Sequence, residues 1–196
     1  MPTFTLDTNC LIALEERRHE AAAVNELVAR HRAGASLVRV VATTAAENQR
    51  DGTVLDNFAG FQERLHKLGL EDLEILRPVC VLDLSYLDWC VLAHDEAEDE
   101  ARNLHAVLFP TAPFDYVDAV PLGLDGQARK QAERKWRNQQ LDVMVLHTHI
   151  MARADVFVTS DKNFRKTSKQ ARLAALGASL ILTPSDAASY DRPSTT

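Results

Sequence analysis

Apolar positions along the chain switch between two periods. Short runs rich in β-branched and aromatic residues predict strands over Thr3–Leu6, Leu37–Val41, 79–84, 156–159 and 180–182. Helical spacing fills the intervals. It runs over 10–33 with Gly34 as its stop signal, and over a stretch containing Glu47 that Asp51-Gly52 interrupts. It recurs at Phe58, Phe61, Leu65 and Leu68, over 85–108, over 127–153 with a break expected near Asn138 to Leu141, and over 164–176. Residues 110–126 hold three prolines and two glycines and read as a long loop insertion. Residues 185–196 are polar, lack periodicity and read as a disordered tail. Strands alternating with helices predict an α/β fold over 1–184, a single domain with a central parallel sheet of about five strands and helices on both faces.

Size and composition narrow this picture little. The 196 residues suffice for one substantial core, and 46% hydrophobic and 26% charged residues are ordinary for a soluble globular protein. No stretch approaches the roughly 18 uninterrupted apolar residues of a membrane span, and the opening MPTFTLDTN lacks the pattern of a signal peptide. A cytoplasmic protein without a membrane partner is expected. Cys10, Cys80 and Cys90 are odd in number and widely spaced, so buried free thiols are expected rather than a disulfide framework or zinc knuckle. His147 and His149 would point about 200° apart on a helix, which excludes a shared metal there.

Three acids fall where parallel sheets place their active sites, beyond the carboxyl ends of strands. Asp7 ends the first strand, Glu47 follows the second, and Asp161 ends a late one. A fourth, Asp142, is the one polar residue among five apolar ones in Leu141-Asp142-Val143-Met144-Val145-Leu146. Each alone has a plain structural use; Asp7, for instance, could cap the next helix. Gathered together, they repel. Two such charges about 4 Å apart cost roughly 4 kcal/mol at an effective dielectric near 20, so the cluster calls for a cation or raised pKa values. Hard Mg²⁺ or Mn²⁺ suits an oxygen-only set.

The motif Leu6-Asp7-Thr8-Asn9, Glu47 after a β-rich run, Leu141-Asp142-Val143, and Val158-Thr159-Ser160-Asp161-Lys162-Asn163-Phe164 together resemble the PIN domain family of metal-dependent nucleases. The resemblance spans about residues 1 to 182. It implies a five-stranded parallel sheet, an acidic pocket for Mg²⁺ or Mn²⁺ formed by Asp7, Glu47, Asp142 and Asp161, and hydrolysis of RNA phosphodiester bonds. It implies supporting roles for Thr8, Asn9, Ser160 and Asn163. Many bacterial members are toxins, so an antitoxin or other protein is a candidate partner, as is a second copy. The long interval between Glu47 and Asp142 departs from the compact toxin pattern.

Net charge is −6, which by itself disfavours a nucleic-acid partner. Its distribution reverses that. Residues 127–172 carry eleven Lys/Arg against four Asp/Glu, a net +7, and the remainder is −13. On a continuous helix Lys135 and Asn138 share the face of Asp142, while Lys162, Arg165, Lys166 and Lys169 follow Asp161 directly. These residues read as a track for RNA phosphates. Trp136 could stack on a base but is expected to pack. Two other classes compete with the nuclease. One is a catalytically silent PIN-like module that binds RNA or protein. The other is a phosphate-handling α/β enzyme using Asp7, which as a dehalogenase-like phosphatase would want a second Asp where Asn9 stands.

Overall fold

Five short strands form one parallel sheet in the order β3-β2-β1-β4-β5 in the computed structural model, which describes residues 1–42, 58–178 and 180–191. They are β1 (Thr3–Leu6), β2 (Leu37–Val41), β3 (Glu74–Leu76), β4 (Val156–Val158) and β5 (Ile181–Leu182). Eight helices flank them among the described residues: α1 (Thr8–Glu15), α2 (Ala21–Arg32), α3 (Phe58–Lys67), α4 (Ala97–Leu108), α5 (Tyr116–Ala119), α6 (Gly126–Met151), α7 (Thr167–Ala175) and α8 (Pro184–Ala188). The fold is therefore the α/β class with an all-parallel sheet that the alternation of periods predicts. None of the described helices is long and apolar enough to cross a membrane.

The pleat divides the core into two layers. Phe4, Leu6, Val38, Val40, Val156 and Val158 face α1, α2, α3 and α8, burying Leu11, Leu27, Phe61 and Ala187 against them. Val41, Phe157 and Ile181 face the other way, onto Leu104 and Leu108 of α4, Val143 and Leu146 of α6 and Leu173 of α7. Thr5 points into this second layer and its hydroxyl meets Nδ1 of His149 at 3.0 Å. Burial pushes the pKa of His149 down to about 4, so the ring is a neutral hydrogen-bonding group of the core.

Several elements differ from their sequence expectation. The helix expected over 10–33 is two, because Arg17 adopts φ 52° and turns the chain between α1 and α2. The expected strand over 79–84 is a loop with a single bridge between Val79 and Val91, and the third strand is Glu74–Leu76 instead. Cys80 and Cys90 close that loop as a disulfide, so only Cys10 is a free buried thiol among the three. The helix expected from residue 85 starts at Ala97, whereas α6 runs unbroken past Asn138 to Leu141. Its start is capped by Asp125, which accepts from the amides of Gln127 and Ala128. The 110–126 loop carries the one-turn α5. The tail after Pro184 begins with α8, whose Ala187 and Ala188 are buried. The helical stretch around Glu47 and the Asp51-Gly52 turn lie outside the described residues.

Candidate active site

Strand order reverses about β1, with β2 and β3 on one side and β4 and β5 on the other. At such a switch point two neighbouring connections leave the sheet in opposite directions and open a crevice at the strand ends. β1 and β4 pair in register up to Leu6 and Val158. Asp7 and the Thr159-Ser160-Asp161 turn therefore emerge side by side, and the Asp7 amide donates to the Val158 carbonyl at 3.0 Å.

Asp7 is only 5% exposed, yet its carboxylate is held by three donors. The Thr8 amide donates to Oδ1 at 2.7 Å, which makes Asp7 the N-cap of α1. The Thr159 hydroxyl and the Asn9 side-chain amide donate to Oδ2 at 2.6 and 2.8 Å. These bonds favour the ionised form, but burial opposes them and wins, and the charge of Asp161 adds to it. The pKa of Asp7 is raised to about 6. Asn9 ties the two strand ends together, since its Oδ1 accepts from the amide and hydroxyl of Ser160 at 3.1 and 3.2 Å. Asp161 is fixed by its neighbours: its amide donates to Thr159 Oγ1 at 3.0 Å, and its Oδ1 accepts from the Asn163 amide at 2.7 Å. Asn163 thus supports Asp161 through its backbone, while its side chain bonds the Leu108 carbonyl and Lys169.

Asp142 lies on α6, which runs antiparallel to the strands. The Asp155 amide, after the helix, donates to the Thr3 carbonyl at the start of β1. His149, beside Thr5, marks the face of α6 turned to β1. Asp142 is seven residues earlier, hence on the same face and about 10 Å nearer the carboxyl edge of the sheet. From Thr5 to Asp7 the strand advances about 7 Å in the same direction. These periods put Asp142 on the β1-facing side of α6, toward the carboxyl end of the sheet, while the carboxylate whose charge acts on Asp7 is Asp161. Asp142 is half-buried. Glu47 lies outside the described residues. Among the described residues no group of three or more His, Cys, Asp or Glu side chains is spaced to hold an ion. The chemistry of the donors still fits a hard cation: the two carboxylates at the switch point act on each other through charge, and the neighbouring Cys10 thiol is held protonated by burial and by the Asp7 charge.

No family model, curated protein or solved structure matches this chain.

The basic residues around the acids divide into two kinds. Lys135, Asn138, Lys162 and Lys166 are exposed. Arg165 instead folds back, half-buried, with Nη2 3.4 Å from the Ser160 carbonyl. Lys169 turns inward, where its ammonium donates to the Leu108 carbonyl at 2.6 Å and burial lowers its pKa. It braces the 161–163 turn against the end of α4 and is not part of an exposed phosphate track. Trp136 packs as expected, its indole N–H donating to the Phe114 carbonyl at 2.8 Å and its ring meeting Tyr116 edge-on. Reasoning from sequence passed over Thr159, the shortest donor to Asp7. Its signal was there, a hydroxyl closing the apolar run Val156-Phe157-Val158.

Proposed function

We propose that the chain is a divalent-metal-dependent endoribonuclease of the PIN type, with Asp7 and Asp161 at the heart of its site. The observation that carries this reading is their pairing at the switch point of a parallel sheet, braced by Asn9 and Thr159. In it Asp7, Asp161, Asp142 and Glu47 would hold Mg²⁺ or Mn²⁺. When bound, such an ion orients a phosphodiester, lowers the pKa of a water and stabilises the leaving oxygen. The protein's own part is to orient the Asp7 carboxylate through Thr8, Asn9 and Thr159, whose hydrogen bonds offset part of the burial that raises its pKa. Ser160 and the Asn163 amide fix the turn that presents Asp161. Lys135, Asn138, Lys162 and Lys166, exposed along α6 and after β4, supply charge and donors for the RNA backbone. An antitoxin, another protein or a second copy remains a candidate partner of such an enzyme.

The test is cleavage of single-stranded and structured RNA in Mn²⁺ or Mg²⁺, with and without excess EDTA. Cleavage is expected with metal only, and Asp7→Asn and Asp161→Asn should each abolish it. Activity that persists in EDTA or in both variants rules the reading out. A silent RNA- or protein-binding module would bind RNA without cutting it and would show no change in melting temperature with Mn²⁺.

A further inference from the structure

Residues 79–125, most of the stretch between β3 and α6, carry ten Asp/Glu and a single basic residue, Arg102, a net −9, and with Arg77 the whole connection 77–125 is −8. The same stretch presents most of the exposed large apolar side chains. Leu82, Leu87 and Leu92 are 77, 73 and 90% exposed, and Val117 and Leu122 are 72 and 97% exposed. The leucines are not on a slack loop. The Cys80–Cys90 disulfide and the Val79–Val91 bridge close it. Ser85 Oγ accepts from the Val81 amide at 2.9 Å, Leu84 is buried against Leu141 and Met144, and Trp89 stacks on Phe58 at 4.1 Å under the guanidinium of Arg77. A loop so restrained that still holds Leu82 and Leu87 in water, with Leu92 just past its closure, presents a surface ordered before any partner arrives.

Behind it lies a cavity of 410 Å³, within the usual range of roughly 300–1,000 Å³ for ligand sites. Val79, Val81, Ala97, Phe114, Trp136 and Met144 give it an apolar wall. Glu98 and Asp115 stand in the same wall, sharing the one guanidinium of Arg102. Asp83 and Glu96 are exposed chain neighbours of the lining residues Leu82 and Ala97, Asp95 is exposed two residues from the lining residues Ala93 and Ala97, and no ion pair engages the three among the described residues. Apolar interior and acidic surround together select an occupant. RNA and anionic membrane surfaces are repelled, and an uncharged apolar molecule would leave the acids unused.

We propose that this cavity and its leucine-bearing loop dock a basic peptide segment of a protein partner, which buries a large apolar side chain in the cavity and sets lysines or arginines against Asp83, Asp95 and Glu96. The site is separate from Asp7 and Asp161 and does not depend on the nuclease reading.

The probe is a labelled synthetic peptide of about a dozen residues, with lysine and arginine flanking a pair of leucines, read by fluorescence anisotropy against the full chain. Binding in the micromolar range is expected, about tenfold weaker when salt rises from roughly 50 to 500 mM. Replacing the leucines of the peptide by serine should weaken it at least about tenfold, as should the triple variant Asp83→Asn/Asp95→Asn/Glu96→Gln. Ala93→Trp, at an exposed position on the cavity lining, should fill the mouth without disturbing the core and block binding. The proposal is overturned by no binding up to about 1 mM, by equal binding of the serine or an all-glutamate peptide, or by binding indifferent to both protein variants. It is also overturned if a second copy occupies the face, seen as a dimer in sedimentation that Ala93→Trp dissolves and the peptide does not.

Discussion

Asp7 shows how one side chain can carry a structural and a chemical role through the same contacts. As N-cap it satisfies the Thr8 amide, and the Asn9 and Thr159 bonds fix its orientation, yet its burial leaves the ionised form unfavourable. The pKa is about 6 in the fold against 3.8 for the free group, so the folded state holds the proton more tightly than the unfolded chain. The linkage has a definite sign. Below pH 3.8 the group costs nothing; stability falls as pH rises through the window from about 4 to 6, by about 3 kcal/mol in total. Asp161→Asn removes the charge that adds to this shift. In EDTA, the fall in stability between about pH 4 and 6 should be smaller in the variant than in the wild type, measured by urea unfolding across pH. Identical profiles would mean that the two carboxylates do not act on each other. Metal reverses the preference, because a cation needs Asp7 ionised. Any Mn²⁺ stabilisation of the wild type should therefore appear as pH rises through about 6 and vanish below it.

Elements were legible where a single period ran unopposed. β1, β2 and β4 read from the sequence because each is a short run dominated by β-branched and large apolar residues, and the polar residues that follow β1 and β4 include Asp7 and Asp161. β3 did not. Glu74-Ile75-Leu76 is an edge strand of three residues paired only to β2, and the more β-rich run beginning at Val79 drew attention from it. That run bends because Asp83 sits at φ 63° and the disulfide closes it, and neither leaves a mark in residue spacing. The turn at Arg17 was more visible, since residues 15–20 read EERRHE and offer no apolar residue to continue a stripe. Asp142 stands out in the sequence as a polar interruption of an apolar helix, but the way its face turns comes from the contact between His149 and Thr5, which residue spacing does not show. The C-terminal helix was hidden because its anchoring comes from elsewhere. Arg30 of α2 donates to the carbonyls of Ala188 and Tyr190 at 2.7 and 3.1 Å, and Tyr190 meets Phe4 edge-on. Arg30→Ala should cost about 1.5–3 kcal/mol in urea unfolding and expose the C-terminal segment to early proteolysis. A loss under half a kilocalorie would mean that α8 holds by packing alone.

At the scale of the whole molecule the chain is electrically two-ended. Residues 79–125 are net −9 and residues 127–172 net +7, so an overall charge of −6 conceals a strong separation. The two segments pack along α4, α5 and α6, where the Tyr116 hydroxyl donates to Glu133, which also takes a bond from Arg129. Some basic charge is spent in this seam, and Lys169 is spent in the core. The exposed cations of residues 127–172 include Lys135, Lys162 and Lys166 and the neighbours Lys130 and Arg134. If they form the phosphate track of the proposed nuclease, each contact releases counterions and adds about 0.7 to the slope of log affinity against log salt on single strands. Lys135→Glu and Lys166→Glu should each weaken binding of an oligonucleotide and flatten that slope by about this amount. Neutralising Asp83, Asp95 and Glu96 should raise affinity slightly by lessening long-range repulsion, with the slope unchanged, since no phosphate contact is gained or lost. Titrations of all four proteins at several salt concentrations, in Ca²⁺ to prevent cleavage, separate these effects. Slopes that stay the same in both lysine variants would place the track elsewhere. A slope that changes with the acidic variant would mean that RNA reaches the 79–125 lobe, against both the charge argument here and the peptide site proposed for that lobe.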